Sequence, residues 1–511
     1  MEQQAQIIIL DFGSQYSHVI ARKVRDLGVY CEIVPFNISL DKIKAKNPKG
    51  IIFSGGPQSV YDKDALLISK EYFDLNIPIL GICYGMQLIT HLLGGSVKSH
   101  GKEYGKAILN ILEESKLLAS IPDSCQVWMS HGDAVVDLPS GFKTVAKSGN
   151  VNAVMENSQK NIYGVQFHPE VSHSIYGEQL LANFLFNISN CQKDWSMESY
   201  VDKTIKEIQE IVGDKKVVLG LSGGVDSSVA ALLIHKAIGD KLLCVFVDTG
   251  LLRLNECNEV KATYSKEAGL NVSYIDASTA FFKALSGVAD PEAKRKIIGK
   301  EFIEVFHKTI ESLEDVDFLA QGTIYPDIIE SSSSSGASKV IKSHHNVGGL
   351  PEHMKLQLLE PLKYLFKDEV RKLGKILGLS ESIVNRHPFP GPGLGIRVVG
   401  EVIPEKVAIL QKADSIFLEE LRKENLYNKV SQAFAVLLPV KSVGVMGDNR
   451  SYEWTAVLRS VSTTDFMTAE VSRIPFEILE KVALRIVNEV EGINRVLYDF
   501  TGKPPSTIEW E

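Results

Sequence analysis

Residues 78–89 read Pro78-Ile79-Leu80-Gly81-Ile82-Cys83-Tyr84-Gly85-Met86-Gln87-Leu88-Ile89. The unbroken apolar run at its start predicts a strand buried on both faces, and the residues after Gly85 predict a helix. Between them stands Gly-x-Cys-x-Gly, the cysteine form of the strand–turn–helix elbow that pushes a nucleophile into the open. The flanking glycines are expected to permit the sharp turn. A thiol at a helix N-terminus also has its thiolate stabilised by free N–H groups and the helix dipole.

Working outward, similar short β-branched runs followed by helical patterns recur at 7–10, 50–53, 217–221 and 242–247. Such alternation predicts parallel α/β domains. A polar, helix-prone stretch from 191 to 216 separates two of these systems. A second break falls at 386–397 (RHPFPGPGLGIR), whose prolines and glycines cannot continue a helix. Beyond it, strand-like runs at 433–440 and 454–462 and a helical pattern over 475–490 predict a smaller α+β domain. The expected architecture is therefore two doubly wound parallel-sheet α/β domains, over 5–195 and 196–386, followed by a third domain over 387–511.

The bulk properties fit a soluble globular protein. A chain of 511 residues is too long for one ordinary core, and 44% hydrophobic with 23% charged residues is ordinary for a globular protein. A net charge of −8 argues against nucleic acid or an anionic membrane as partner, although local charge decides what a site binds. No apolar run approaches the ~20 residues of a membrane span. The N-terminus has no basic region or small-residue cleavage site, so no signal peptide is expected. Six cysteines, at 31, 83, 125, 191, 244 and 257, are scattered without a C-x-x-C pair. That pattern predicts reduced thiols and a cytoplasmic protein.

A nucleophile needs a base and an oxyanion site. Tyr163-Gly164-Val165-Gln166-Phe167-His168-Pro169-Glu170 predicts a strand ending in an imidazole and a carboxylate two residues apart, on one face of an extended segment. His168 would take the thiol proton and Glu170 would orient it. Phe53-Ser54-Gly55-Gly56-Pro57 supplies a glycine turn able to offer a backbone N–H. These pieces, with Asp11-Phe12-Gly13-Ser14-Gln15 ahead of them, resemble the class I (triad) glutamine amidotransferases over about residues 5–195. The resemblance implies Cys83 as nucleophile and an oxyanion hole from the N–H groups of Gly56 and Tyr84. It also implies glutamine contacts from Gln87 and from Ser130, His131 and Asp133.

A second constellation follows. The run 217–221 leads into Ser222-Gly223-Gly224-Val225-Asp226-Ser227-Ser228 and an apolar helix. Glycines let the backbone wrap an anion, hydroxyls add donors, and the helix start adds positive potential. No Gly-Lys-Ser/Thr follows, so the loop is not a Walker A motif. It resembles the loop of ATP-pyrophosphatases, which implies that it holds the departing pyrophosphate of ATP. Beside polyphosphate Asp226 suits Mg²⁺; its plainer reading is a helix cap. Downstream, Tyr325-Pro326-Asp327-Ile328-Ile329-Glu330 precedes a serine run and a segment carrying Lys342, His344 and His345. This segment reads as a lid over phosphates and is similar to that of the GMP synthetases, where Asp327 and Glu330 would help hold Mg²⁺.

The C-terminal third separates the possible acceptors. The segments 442–450, 464–468 and 502–511 resemble GMP synthetases, and the likeness then covers essentially the whole chain. It implies glutamine hydrolysis coupled to ATP-driven amination of xanthosine monophosphate (XMP). Arg253, Met446, Lys503, Ile508 and Glu509 would lie around XMP, and the C-terminal domain would form a homodimer. The alternative is another glutamine-dependent member of the pyrophosphatase group, such as an NAD synthetase.

Overall fold

The four side chains from Ile7 to Leu10 are fully buried, as are Ile51, Ile52 and Phe53. Strands of this kind can only sit inside a sheet covered on both faces. The computed structural model describes residues 4–267, 269–311, 313, 316–333, 356–446, 449–463, 466 and 468–511. The chain forms two compact units, Met1–Tyr200 and Val201–Glu511; they part inside the helix Met197–Val212.

In the first unit the strands are β1 (Ile7–Asp11), β2 (Cys31–Pro35), β3 (Gly50–Phe53), β4 (Ile79–Ile82), β5 (Ser96–Ile111), β6 (Ser124–Asp137), β7 (Lys143–Ser148), β8 (Val151–Asn157) and β9 (Ile162–Val165). They form one sheet in the order β2-β1-β3-β4-β9-β8-β7-β5-β6. The half from β2 to β9 is parallel, and the remaining pairs are antiparallel. The expected parallel sheet is thus present, extended on one side by antiparallel strands. Loops leaving the C-terminal ends of β1, β3, β4 and β9 share one edge, where open α/β sheets bind ligands.

The second unit holds two sheets. Strands β10 (Lys216–Gly220), β11 (Leu242–Asp248), β12 (Val272–Asp276), β13 (Val316–Ala320) and β14 (Gln357–Leu359) run parallel in the order β12-β11-β10-β13-β14. The order reverses at β10, so the crevice lies between the ends of β10 and β13. The other sheet contains β15 (Gln432–Met446), β16 (Asn449–Ser462), β17 (Glu470–Val471) and β18 (Ile493–Tyr498). β15 and β16 are an antiparallel pair, and β18 runs parallel to β16. The helices Pro404–Lys423 and Phe476–Glu489 accompany this sheet. Val218, Val245 and Leu319 of the parallel sheet join Leu410, Phe417, Ala435 and Ile486 in one hydrophobic cluster. Among the described residues no helix is long and apolar enough to cross a membrane.

Candidate active sites

Cys83 sits between β4 and the helix Tyr84–Leu92 with φ 51° and ψ −105°. A non-glycine residue in that region is strained, and such strain collects where a side chain must be presented. The flanking glycines do not carry the positive φ. They let chains approach instead: a Cβ on Gly81 would lie 2.5 Å from the Gly85 carbonyl carbon, and one on Gly85 would lie 2.5 Å from the Phe53 oxygen. The elbow therefore differs from the sequence expectation in where its strain resides. Cys83 N–H donates to Val165 O at 2.7 Å, tying the turn to β9.

His168 and Glu170 lie beyond the end of β9, in a turn, not on an extended segment. The turn still brings His168 Nδ1 within 2.8 Å of Glu170 Oε1. Both are buried. Burial alone would push the imidazole down, but Glu170 and the Cys83 thiol outweigh it and hold His168 well above its usual value. Ser174 Oγ fixes the His168 carbonyl at 2.6 Å, and the Tyr16 ring meets the imidazole edge-on at 4.9 Å.

The other expected positions lie just after β3, on the helix Tyr84–Leu92 and on β6. Gly55 follows β3 so closely that a Cβ there would reach 3.3 Å from the His168 ring. A Cβ on Gly56 would meet the Phe12 oxygen at 2.9 Å and the Tyr84 ring at 3.2 Å. Tyr84 opens its helix, so its N–H has no acceptor within that helix. Its phenol is pushed up to about 12 by burial and donates to Leu66 O. Ser130 presents its carbonyl 3.7 Å from Cys83 Sγ. Gln87 Nε2 donates to Asp133 O at 2.8 Å, while the Asp133 carboxylate accepts from Ser59 and Tyr61. His131 is buried against Glu103 at 3.1 Å; burial pulls its imidazole down despite that carboxylate.

In the second unit, the loop after β10 turns at Gly223, with φ +72°. Ser222 and Ser227 hydroxyls bond at 2.9 Å, and Ser228 Oγ donates to Gly224 O at 2.6 Å. The helix Val225–Ile238 begins earlier than its apolar run suggests and includes Asp226. Asp226 Oδ2 is 2.5 Å from Lys367 Nζ, whereas its buried Oδ1 finds no hydrogen-bond partner among the described residues. Gly322, in the loop after β13, packs against Asp226 and Ser227. Arg386 donates to Gly223 O at 2.9 Å and pairs with Glu256. Asp327 and Glu330 lie on the helix Tyr325–Ser333, and Asp327 Oδ2 accepts from Ile324 N. Lys342, His344 and His345 lie outside the described residues.

Arg253, after β11, is buried against Asp414 at 3.3 Å and over the Phe389 ring at 5.0 Å. Its Nε makes that ion pair without hydrogen-bond alignment, and its Nη2 has no hydrogen-bond partner among the described residues. Arg397 lies over the same ring at 5.2 Å and grips Glu509 in a fork at 3.0 and 2.8 Å. Ile508 is buried among Phe434, Val436, Val457 and Val461. Lys503 pairs its backbone with Ala469 and donates Nζ to Phe466 O. Met446 is different: it ends β15, on the order of 40 Å of strand from Gln432, whose side chain bonds Glu509. The structure does not bring it to the others.

Residues that the sequence reading did not single out include Gln166, Glu103, Lys367, Arg397 and Lys294. Lys294 is fully buried, donates to Val398 O at 2.7 Å and pairs with Glu511.

Residues 8–188 match the family described as glutamine amidotransferase class-I, 419–510 the GMP synthase C terminal domain, and 197–293 NAD synthase. The "GMP synthase [glutamine-hydrolyzing]" of Fusobacterium nucleatum is 60% identical over 507 residues, covering 99% of each chain. The chain belongs to the glutamine-hydrolysing GMP synthase family. Proteins of the same name from Carboxydothermus hydrogenoformans, 57% identical over 99% of this chain and 100% of its own, and Aquifex aeolicus, 56% identical over 100% of both, extend the likeness. The NAD synthase match touches only part of the second unit.

Proposed function

We propose that this enzyme hydrolyses glutamine to ammonia at Cys83 and uses ATP to convert XMP to GMP, releasing glutamate, AMP and pyrophosphate. The observation that carries this reading is the likeness to glutamine-hydrolysing GMP synthases along the whole chain, the C-terminal segment included. The NAD synthetase alternative has no comparable support beyond 197–293.

Cys83 Sγ attacks the side-chain amide carbon of glutamine, and the Gly56 and Tyr84 N–H groups donate to the oxyanion. His168, oriented by Glu170, protonates the departing ammonia and then activates the water that frees glutamate from the thioester. Gln87, Ser130, His131 and Asp133 surround the amino-acid part of the substrate. In the second site Ser222–Ser228 cradle the β,γ-phosphates while the XMP 2-oxygen attacks the α-phosphorus and pyrophosphate leaves. Ammonia adds at C2 and AMP departs, a far better leaving group than the bare oxygen.

The unpartnered Oδ1 of Asp226, beside the Ser222–Ser228 loop, suits a hard divalent cation. Mg²⁺ would be held by Asp226 with Asp327 and Glu330, and it supplies charge neutralisation of the phosphates when bound. Arg253, Lys503, Ile508 and Glu509 would line XMP, and Lys342, His344 and His345 would close over its neighbouring phosphates. The work divides among residues 5–195, 196–386 and 387–511. Exposed Val443, Val445 and Tyr452 on the β15–β16 pair, with Phe476 and Phe500, support a homodimer through the C-terminal part. Six free cysteines support a cytoplasmic location.

The test is conversion of XMP with ATP, Mg²⁺ and amide-¹⁵N-labelled glutamine. GMP carrying ¹⁵N is expected. Glutamine hydrolysis without XMP-dependent GMP would refute the reading.

A further inference from the structure

Gln166 is the last residue before the Phe167-His168 turn, and its side chain is fully buried. A buried primary amide must place two donors and an acceptor, and the structure shows where they go. Gln166 Nε2 lies 3.7 Å from Cys83 Sγ, and Gln166 Oε1 accepts from Gln87 Nε2 at 3.4 Å. Gln87 Nε2 also donates to the Asp133 carbonyl at 2.8 Å.

The orientation of the amide follows from this chain of contacts. A backbone carbonyl can only accept, so Asp133 O fixes the nitrogen end of Gln87 toward itself. That nitrogen then fixes the oxygen end of Gln166. The remaining end, the Gln166 NH₂, must face the sulfur. The relay from Asp133 through Gln87 and Gln166 ends on the reacting atom.

Resting on the reading of Cys83 as nucleophile, we infer that Gln166 is a catalytic residue whose amide N–H donates to Cys83 Sγ and stabilises the thiolate. A hydrogen bond to an anion is stronger than one to the neutral thiol, so this donor favours the nucleophilic form. It acts beside the imidazole. When the thiol proton passes to His168, the sulfur gains a negative charge that Gln166 meets without any movement. The raised imidazole of His168 agrees with a thiolate–imidazolium pair. Other titratable groups on the surrounding elements are Glu170 in the same turn, His131 and Asp133 on β6, Glu103 on β5 and Tyr84 at the helix start. None of these supplies a neutral donor to the sulfur among the described residues.

The test is the pH dependence of Cys83 alkylation by iodoacetamide, followed by mass spectrometry on the full-length enzyme. In Gln166→Met, which keeps the volume and loses the donor, the thiol midpoint should rise by about one unit. Alkylation near neutral pH should fall about tenfold, with the high-pH plateau within about twofold of wild type. The retained plateau reports that the pocket is intact. A Gln166→Met profile superposing on wild type overturns the inference. Should that variant lose the plateau, Gln87→Met decides, because it leaves Gln166 in place but frees its orientation. A raised midpoint there supports the relay, and an unmoved one overturns it. Failure of the underlying reading looks different: Cys83→Ala would still hydrolyse glutamine.

Discussion

Replacing Glu170 by glutamine removes a charge and almost no volume, so it isolates what the carboxylate does for His168. Two unit charges about 4 Å apart attract by about 4 kcal/mol at an effective dielectric of about 20. Part of that is offset by desolvation of two buried groups, and hydrogen bonds to charged groups retain about 1.5–3 kcal/mol net. The loss lowers the His168 pKa, because the carboxylate that holds the imidazole up is gone. Rotation of the imidazole away from its productive tautomer adds to the rate effect.

Glutaminase kcat should therefore fall about 10²-fold, close to 2.7 kcal/mol of barrier. The assay is glutamate release across a pH series. The imidazolium is the acid that protonates departing ammonia, so the alkaline limb of the profile should move to lower pH in the variant. Stability carries the same sign. A histidine raised in the folded state contributes stability that is present below its unfolded pKa and lost as pH rises through the folded value. The destabilisation by Glu170→Gln should accordingly be larger near about pH 6 than near about pH 9. A variant within about threefold of wild type, with an unmoved alkaline limb, would refute the orienting role.

Three further outcomes are expected. Asp226→Asn should slow XMP-dependent pyrophosphate release by about 2–4 kcal/mol of barrier with either nitrogen source; normal release would leave Asp226 only as the ion-pair partner of Lys367. Gly85→Ala forces a Cβ into the Phe53 backbone and should cost about 1–3 kcal/mol in thermal unfolding while lowering glutaminase activity, so a variant of unchanged stability contradicts the close-approach account. Arg397→Met leaves Glu509 without its fork and should destabilise by about 3–5 kcal/mol, with KM for XMP rising more than kcat falls; an unchanged KM would separate the fork from the XMP site.

Much of this was legible in the sequence, for physical reasons that differ from site to site. The uninterrupted apolar runs at 7–10, 50–53 and 79–82 could only be interior strands, and the Gly-x-Cys-x-Gly spacing marked the elbow. His168 and Glu170 were legible by residue type, yet a strand's two-residue period was the wrong reason: a turn brings them together. The positive φ falls on Cys83 itself, which no propensity reveals. Gln166 was hidden because its role depends on a side-chain orientation set from β6. Arg397, Lys294 and Lys367 had nothing to mark them, since burial and partners far away in sequence have no local signature. Met446 followed from resemblance alone, and strand length carries it away from Glu509.

The most direct test of two separable sites is Cys83→Ala in the full-length enzyme, assayed for GMP formation from XMP and ATP with each nitrogen source. Glutamine should give no GMP, while high ammonium should give GMP at close to the wild-type rate. GMP formed from glutamine by that variant would contradict the account, and so would a folded variant that makes none from ammonium.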